Sequence, residues 1–385
     1  MIWVPLRLGS MQVVAALFLL LSLLGSGYTM HAAIAVWRFG RRQGAPLAPP
    51  EPVTLLKPLH GAEPRLAENL ATFLRQDWSM PIQMVAGVQR ADDTAIEVAH
   101  ALGPQLQLVV DGRPHGANAK VSNLINMAPA AEHDLLVLSD SDMAAPPDYL
   151  TQVAAALAQP VVGAVTCLYR GRGDAGPWST LAAGAISYAF LPAVLVALNL
   201  GLGQPCMGST IALRRGTLER IGGFDAFADM LADDYAIGEA VRAQGLTIAI
   251  PPLVMIHGFT ERSLADLWRH ELRWAATVRA VAPVSSVGML VTYPVSLALL
   301  ALPFAPAPAG VLLALALAAR FALRSTVDRL CRARTMPAWA LPARDILSFV
   351  VFIASFFVRS VDWRGARFRM EREGRIAPAP ESPSR

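Results

Sequence analysis

The chain has little charge and almost no cysteine. Only 16% of its 385 residues are Asp, Glu, Lys or Arg, against 54% apolar, a balance that leans toward a membrane protein. The three cysteines, Cys167, Cys206 and Cys331, form neither a disulfide framework nor a metal-ligand spacing, so they read as small buried residues. No G-x-G-x-x-G follows any expected strand, since Gly201-Leu-Gly203 sits inside an apolar run; this argues against a dinucleotide fold of the usual kind. The net charge of +4 is modest, and the basic residues gather at 38–42, 320–334 and 359–375, beside apolar runs. That distribution suits a membrane surface and anionic ligands, and it does not suit a nucleic-acid groove. The apolar runs carry almost no internal polar residue, which argues against a transporter.

What is present begins with residues 11–36, a run nearly all apolar or small and long enough to span a bilayer. Ala33-Ile-Ala35 is the alternative cleavage site of a signal peptide. Arg38, Arg41 and Arg42 follow and hold the next domain in the cytoplasm. Ala48-Pro-Pro-Glu-Pro52 is a stiff linker that lifts that domain off the bilayer. Further apolar stretches lie at 284–304, 307–323 and 346–358, the last too short for a clear span. Three spans there would put the basic tail 364–375 outside, against the positive-inside rule, so the tail is expected to return to the cytoplasm. Residues 181–200 are apolar but studded with Gly, Asn and Pro. A single span there would separate Asp234 from Asp142, so the stretch is expected to be interfacial.

Between residues 52 and 170, short apolar runs alternate with amphipathic ones. Strands are expected at 52–56, 83–88, 106–110, 135–138 and 161–168, and helices at 65–76, 95–102, 121–127 and 149–157. This alternation means βαβ units and a parallel sheet with helices on both faces. The stretch Asp134-Leu-Leu-Val-Leu-Ser-Asp-Ser-Asp142 is central to it. Four apolar residues buried on both faces deliver Asp140 and Asp142 to the carboxyl end of a strand, where open α/β sheets bind ligands. Two carboxylates at i and i+2 suit a hard divalent cation that also holds phosphates; a solvated turn is the plainer reading. Ala232-Asp-Asp-Tyr-Ala-Ile-Gly238 opens a helix with Asp233 and Asp234, one pointing into the site and the other capping or facing away. His270-Glu-Leu-Arg-Trp274 sits on a basic amphipathic helix over 264–279, just ahead of the membrane.

The ordered set resembles a known family. Asp92 and Asp93 after the second strand, Asp140-Ser-Asp142, Asp233-Asp-Tyr235 and the Arg273-Trp274 helix resemble the processive-type, inverting nucleotide-sugar glycosyltransferases of family 2/21 type, with a GT-A (Rossmann-like) α/β fold. Leu55-Leu-Lys-Pro-Leu-His-Gly61, Gly116-Ala-Asn-Ala-Lys-Val-Ser-Asn-Leu124 and Trp363-Arg-Gly-Ala-Arg-Phe368 look like the ceramide glucosyltransferase branch, and within it the bacterial hopanoid-biosynthesis enzymes. One departure is His270, where the family's motif usually has Gln or Arg.

The resemblance implies a UDP-sugar donor, a lipid-alcohol acceptor (a hopanoid polyol, or ceramide) and a multi-pass enzyme of the bacterial cytoplasmic membrane. It makes Asp234 the base, Asp140 and Asp142 the ligands of Mg²⁺ or Mn²⁺, and Asp92 or Asp93 the uridine contact. Lys120 and Arg273 face the diphosphate, and Trp274 lines the acceptor entrance; Asp233 and His270 belong to the substrate site without an assigned role. Five segments follow: an N-terminal transmembrane helix at 11–37, the GT-A domain at 52–262, the interfacial helix at 263–282, a C-terminal transmembrane region at 283–362, and a basic disordered tail at 363–385. A polyprenyl phosphate acceptor and a catalytically inert scaffold are the competing functions.

Overall fold

The computed structural model describes residues 8–358, 360–363, 366–370 and 376–378. A 32-residue helix, α1 (Leu8–Phe39), opens the chain. At ~1.5 Å per residue it is longer than the ~30 Å hydrocarbon core of a bilayer. Leu17, Leu20, Leu23 and Leu24 face outward, while Ser22, Ser26 and Thr29 are buried. The Ser26 and Thr29 hydroxyls donate to carbonyls one turn back, so neither is left unpaired among apolar neighbours. A side chain on Gly25 would overlap the Val291 carbonyl, so only glycine permits this approach of two helices.

The expected βαβ order follows: β1 (Val53–Pro58), α2 (Leu66–Leu74), β2 (Ile82–Val88), α3 (Ala95–Ala101), β3 (Leu106–Val110), α4 (Ala119–Met127) and β4 (Leu135–Leu138). These strands are parallel, in the order β3-β2-β1-β4. Side chains alternate between two cores, with Leu55, Leu135 and Val137 in one and Leu56, Leu136 and Leu138 in the other. Burial on both faces is what an unbroken apolar strand requires.

The second half departs from a purely parallel sheet. After β5 (Met143–Ala144), α5 (Tyr149–Leu157), β6 (Val162–Val165) and β7 (Leu168–Gly173), the chain makes one long helical excursion. It consists of α6 (Pro177–Ala185), a π-helical turn (Ile186–Phe190) and α7 (Leu191–Asn199). Then β8 (Ile211–Arg214) enters between β4 and β6, antiparallel to both. The excursion returns the chain to the edge where β4 ends, so β8 has to run the opposite way. Thereafter come α8 (Arg215–Arg220), α9 (Asp233–Ala243), β9 (Thr247–Ala249) and β10 (Val254–Phe259). A smaller sheet, β5-β10-β7, flanks the seven-stranded one.

Pro177–Asn199 is long and apolar enough to cross a membrane, yet it is 61% buried, against 28% for each of the other two such helices. Its first half, α6, packs on β7 and β10 of the domain, and its second half, α7, packs on α1. Beyond the domain lie α10 (Leu264–Val281), α11 (Pro283–Gly288), α12 (Pro294–Ala301), α13 (Pro306–Cys331) and α14 (Ala340–Ser355). The first apolar stretch of this region is broken, with a 66° bend between Pro283–Thr292 and Pro294–Ala301. α13 is long and apolar enough to cross a membrane and packs along α1. It also carries a buried ion pair that the apolar pattern gave no hint of. Arg320 donates to both Asp345 carboxylate oxygens (2.7 and 2.6 Å) and to the Tyr188 carbonyl (2.8 Å). α14 has 16 residues, too few to span, and lies along α10, where Arg344 donates to Glu271. In the segment expected to be a disordered tail, the described residues instead pair. β11 (Ser360–Trp363), β12 (Ala366–Met370) and β13 (Ile376–Pro378) form an antiparallel sheet, with β11 beside α10. Arg364, Gly365 and residues 371–375 lie outside the described residues.

Candidate active site

Strands β1 and β4 end side by side, and the site is built on that edge. Lys57 of β1 is fully buried under it, donating to Ser139 Oγ and to the Asp140 carbonyl, both at 3.0 Å. Its ammonium lies 3.2 Å from the centre of the Phe73 ring. Burial pulls this lysine well below its ordinary range, against the pull of Asp140 and Asp142.

Asp140 and Asp142 have different partners. Asp140 Oδ1 accepts from Lys120 Nζ at 2.8 Å. Asp142 Oδ2 meets His257 Nε2 at 3.0 Å. Burial pushes Asp140 up despite Lys120. For Asp142 burial acts the same way, but His257 and the two lysines outweigh it and leave it below the usual carboxylate range. Beside them Glu63 accepts from Ser141 Oγ at 2.9 Å, and burial plus the Asp142 charge push it up to about 7. Nothing in the pattern around Glu63 singles it out; its place in the site comes from the turn after β1.

Lys120 is positioned by the start of α4. Asn118 caps that helix, its side-chain oxygen accepting from the Lys120 and Val121 amides at 2.9 and 3.1 Å. From there Lys120 Nζ reaches Asp140 and also Asp233 Oδ2, at 3.2 Å. Burial lowers its affinity for a proton, but Asp140, Asp233 and Asp234 together raise it above the ordinary range. Asp233 is therefore no cap. No side chain caps α9, and Asp233 is buried against Lys120.

Asp234 is held by backbone amides. Its Oδ2 accepts from the Gly208 amide at 2.9 Å and its Oδ1 from the Tyr235 amide at 2.8 Å. Burial, with repulsion from Asp233, pushes it up to about 6. Gly208 stands at the centre of the cluster. A Cβ on it would be 3.0 Å from Asp140 Oδ2, 3.3 Å from Lys120 Nζ and 3.6 Å from Asp234 Oδ2. Three functional groups thus converge on one small volume.

The opposite wall is aromatic. Register places His257 of β10 across from Met143 of β5, directly beside Asp142. Its ring lies 4.4 Å from Phe259, 5.3 Å from Tyr169 and 6.2 Å from Trp274. His270 packs edge-on to Trp274 at 4.7 Å and hydrogen-bonds Glu261. The α10 motif is thereby joined to Asp142 through His257, a residue that sequence reasoning missed because its strand ends in no recognisable motif. Arg273 precedes Trp274 on the same helix. Asp92 and Asp93 stay at the end of β2, two strands from β4. Asp93 is committed to the Gly61 and Ala95 amides (2.8 and 2.9 Å), while Asp92 is exposed and paired with Arg90.

Among the described residues, no group of three or more His, Cys, Asp or Glu side chains stands ready to hold a metal ion. The donor set nevertheless fits a hard cation. Asp142 Oδ1 is buried without a hydrogen-bond partner, and Asp140 Oδ2 faces the space over Gly208. Mg²⁺-type ions commonly take one or two carboxylates and complete their shell with water and phosphate oxygens.

A family model described as glycosyl transferase family 21 matches residues 17–376. Ceramide glucosyltransferase 1 of Caenorhabditis elegans is 24% identical over 238 residues, 60% of this chain and 50% of that protein. Ceramide glucosyltransferase 3 of the same organism is 22% identical over 241 residues, 60% of this chain and 51% of that protein. The chain spans about half the length of these curated relatives. Among solved structures, the mannosyltransferase PcManGT from Pyrobaculum calidifontis, in complex with GDP-Man and Mn2+, matches 88% of this chain and 99% of its own. Its TM-score is 0.51 at 22% identity, a likeness that supports the GT-A-type α/β fold.

Proposed function

The chain belongs to glycosyl transferase family 21, and from that premise we propose that it is a membrane-bound inverting enzyme moving a hexose from a UDP-sugar to the hydroxyl of a membrane lipid. The observation that carries this is the convergence of Asp234, Lys120 and Asp140 on the space over Gly208. An alcohol is a poor nucleophile at neutral pH. Asp234, with its carboxyl at about 6, is ionised at neutral pH and basic enough to take the hydroxyl proton as the oxygen attacks the anomeric carbon. The departing diphosphate gathers charge, which Lys120 and Arg273 would neutralise. Asp140 and Asp142 would hold Mg²⁺ or Mn²⁺, which supplies further neutralisation of the leaving diphosphate. Uridine falls to the Asp92–Asp93 turn. Trp274, with His270 and the other rings of that wall, lines the acceptor entrance, where a ring tolerates both apolar and polar neighbours. Direct displacement turns an α-linked donor into a β-glycoside.

The finer reading is N-acetylglucosamine transferred to a bacteriohopane polyol in the bacterial cytoplasmic membrane, and it rests on the resemblance of the chain as a whole to the hopanoid-biosynthesis enzymes within the branch that the motifs at 55–61, 116–124 and 363–368 mark. The relatives named ceramide glucosyltransferase favour a second reading, ceramide with UDP-glucose or UDP-galactose. A polyprenyl phosphate acceptor is already ionised and would give a raised, amide-clamped Asp234 nothing to do. Membranes containing the protein, incubated with labelled UDP-sugars and each lipid class, are expected to yield one glycolipid whose mass identifies both substrates. EDTA is expected to abolish its formation and Mn²⁺ or Mg²⁺ to restore it. Full transfer in a chelated, metal-free preparation contradicts the cation reading of Asp140 and Asp142.

Topology is tested separately. Arg38, Arg41 and Arg42 after α1 support a cytoplasmic domain. Gln105 is exposed on it, whereas Glu63 is tied to Ser141 and is unsuitable as a surface probe. With Cys331 replaced by Ser, Gln105→Cys is expected to resist impermeant thiol reagents in intact cells and to label after permeabilisation. Labelling in intact cells sinks the arrangement.

A further inference from the structure

Where α13 leaves the bilayer there is a cavity that the reaction does not use. A side-chain carbon on Gly40 would lie 3.2 Å from Leu330, so the end of α13 stands level with the end of α1 and its arginines. Between α13 and the turn into α14 a cavity of about 550 Å³ opens, lined by Arg324, Ser325, Asp328, Arg334, Thr335 and Met336 among others. Arg324 is 8% exposed. It donates through Nη2 to the Met336 carbonyl at 2.8 Å, and its Nε is buried with no hydrogen-bond partner. A guanidinium N–H held in that state is costly unless a ligand accepts from it. Asp328 Oδ2 pairs with Nε across 3.6 Å, too far for a hydrogen bond, while its Oδ1 accepts from the Tyr188 hydroxyl at 2.6 Å. Arg334 is exposed at the mouth, with Arg329 and Arg332 exposed nearby. Just beyond the lining, Trp339 is 80% exposed, the position an aromatic residue takes at headgroup level.

We propose that this cavity binds the phosphate of an anionic glycerophospholipid from the surrounding leaflet. Arg324 Nε supplies the buried donor, Arg334 closes over the phosphate from the mouth, and the Ser325 and Thr335 hydroxyls are available to its remaining oxygens. Guanidinium groups suit this because their N–H forks match phosphate oxygens. The bilayer is the source rather than free phosphate, because the mouth lies at the level where the two membrane helices end.

The full chain, reconstituted in bilayers of mixed phosphatidylcholine and phosphatidylglycerol, is extracted gently and its retained lipid measured by mass spectrometry. Phosphatidylglycerol is expected to be enriched over its bulk share. Arg334→Ala is expected to cut the enrichment by about ten-fold, the worth of one hydrogen bond to a charged group, and Arg334→Lys to keep most of it. Arg324→Gln should abolish it, with circular dichroism checking that the fold survives; Arg334, being exposed, provides the test that does not depend on folding. Arg329→Ala, outside the lining, should leave the enrichment unchanged. No enrichment in the unaltered protein, no loss in Arg334→Ala, or an equal loss in Arg329→Ala each overturns the site, the last by showing diffuse attraction alone. Displacement of the retained lipid by millimolar inorganic phosphate overturns the lipid as ligand.

Discussion

Asp234→Asn is expected to slow the chemical step by roughly 10²–10⁴-fold, the usual worth of a positioned general base, with UDP-sugar affinity changed little. The amide keeps the shape of the carboxyl but cannot accept the lipid hydroxyl's proton. It also cannot accept from both the Gly208 and Tyr235 amides as the carboxylate does, because only one of its two terminal atoms is an acceptor. A pH profile separates loss of the base from loss of position. Burial and Asp233 push Asp234 up to about 6, and a base works only when ionised. Transfer by the unaltered enzyme is therefore expected to climb as pH rises through about 6 and to level off above it. The residual rate of Asp234→Asn should lack that limb. Single-turnover transfer with the lipid alcohol at several pH values measures both. Normal transfer by Asp234→Asn places the base elsewhere and removes the alcohol-acceptor mechanism.

The residues that were legible in the sequence are those whose role is fixed by local chain geometry. The apolar run 135–138 had to be a strand buried on both faces, and a strand so buried had to deliver Asp140 and Asp142 to its end. Helix α10 and its Arg273-Trp274 pair were legible for the same reason, through amphipathic period and nearness to apolar runs. The residues that were not legible are brought in by tertiary pairing. His257 reaches Asp142 only because β10 pairs with β5, and that register leaves no trace in a strand of six residues. Lys57 lies in a run otherwise fit for a core strand, and its acceptors, Ser139 and the Asp140 carbonyl, are more than eighty residues away in sequence. The reversal of β8 depends on which edge the α6–α7 excursion returns to, which local periodicity does not encode. Adjacent carboxylates were the hardest case. Asp233 and Asp234 are equivalent as letters, and capping is a reasonable role for one of them in sequence; in the fold Lys120 pairs with Asp233, and Asp234 accepts from the Gly208 and Tyr235 amides.

That lysine sets the second large effect. Lys120→Met is expected to destabilise the fold by ~3–5 kcal/mol, the cost of breaking a buried ion pair by removing one partner. Its side chain is 13% exposed and that of Asp233 9%, so this pair is the desolvated one. Asp140, at 36%, is more open to solvent but nearer, at 2.8 Å, and shares the hold on the ammonium. Without the ammonium, Asp140, Asp233 and Asp234 are left facing one another around Gly208. The diphosphate also loses a fixed cation, so transfer is expected to fall by a further ~10²–10³-fold in the fraction that stays folded, the scale seen for losing one preorganised donor. Asp233→Asn should likewise cost more than the ~1 kcal/mol of a lost helix cap, because it leaves Lys120 partly uncompensated. Denaturant unfolding in detergent, followed by tryptophan fluorescence, compares the two single variants with the double. If the ion pair is what holds this corner, Lys120→Met with Asp233→Asn is less destabilised than the sum of its parts by ~0.5–3 kcal/mol. A strictly additive double variant means that Lys120 and Asp233 are not energetically paired, and that the lysine is kept in place by Asp140 alone.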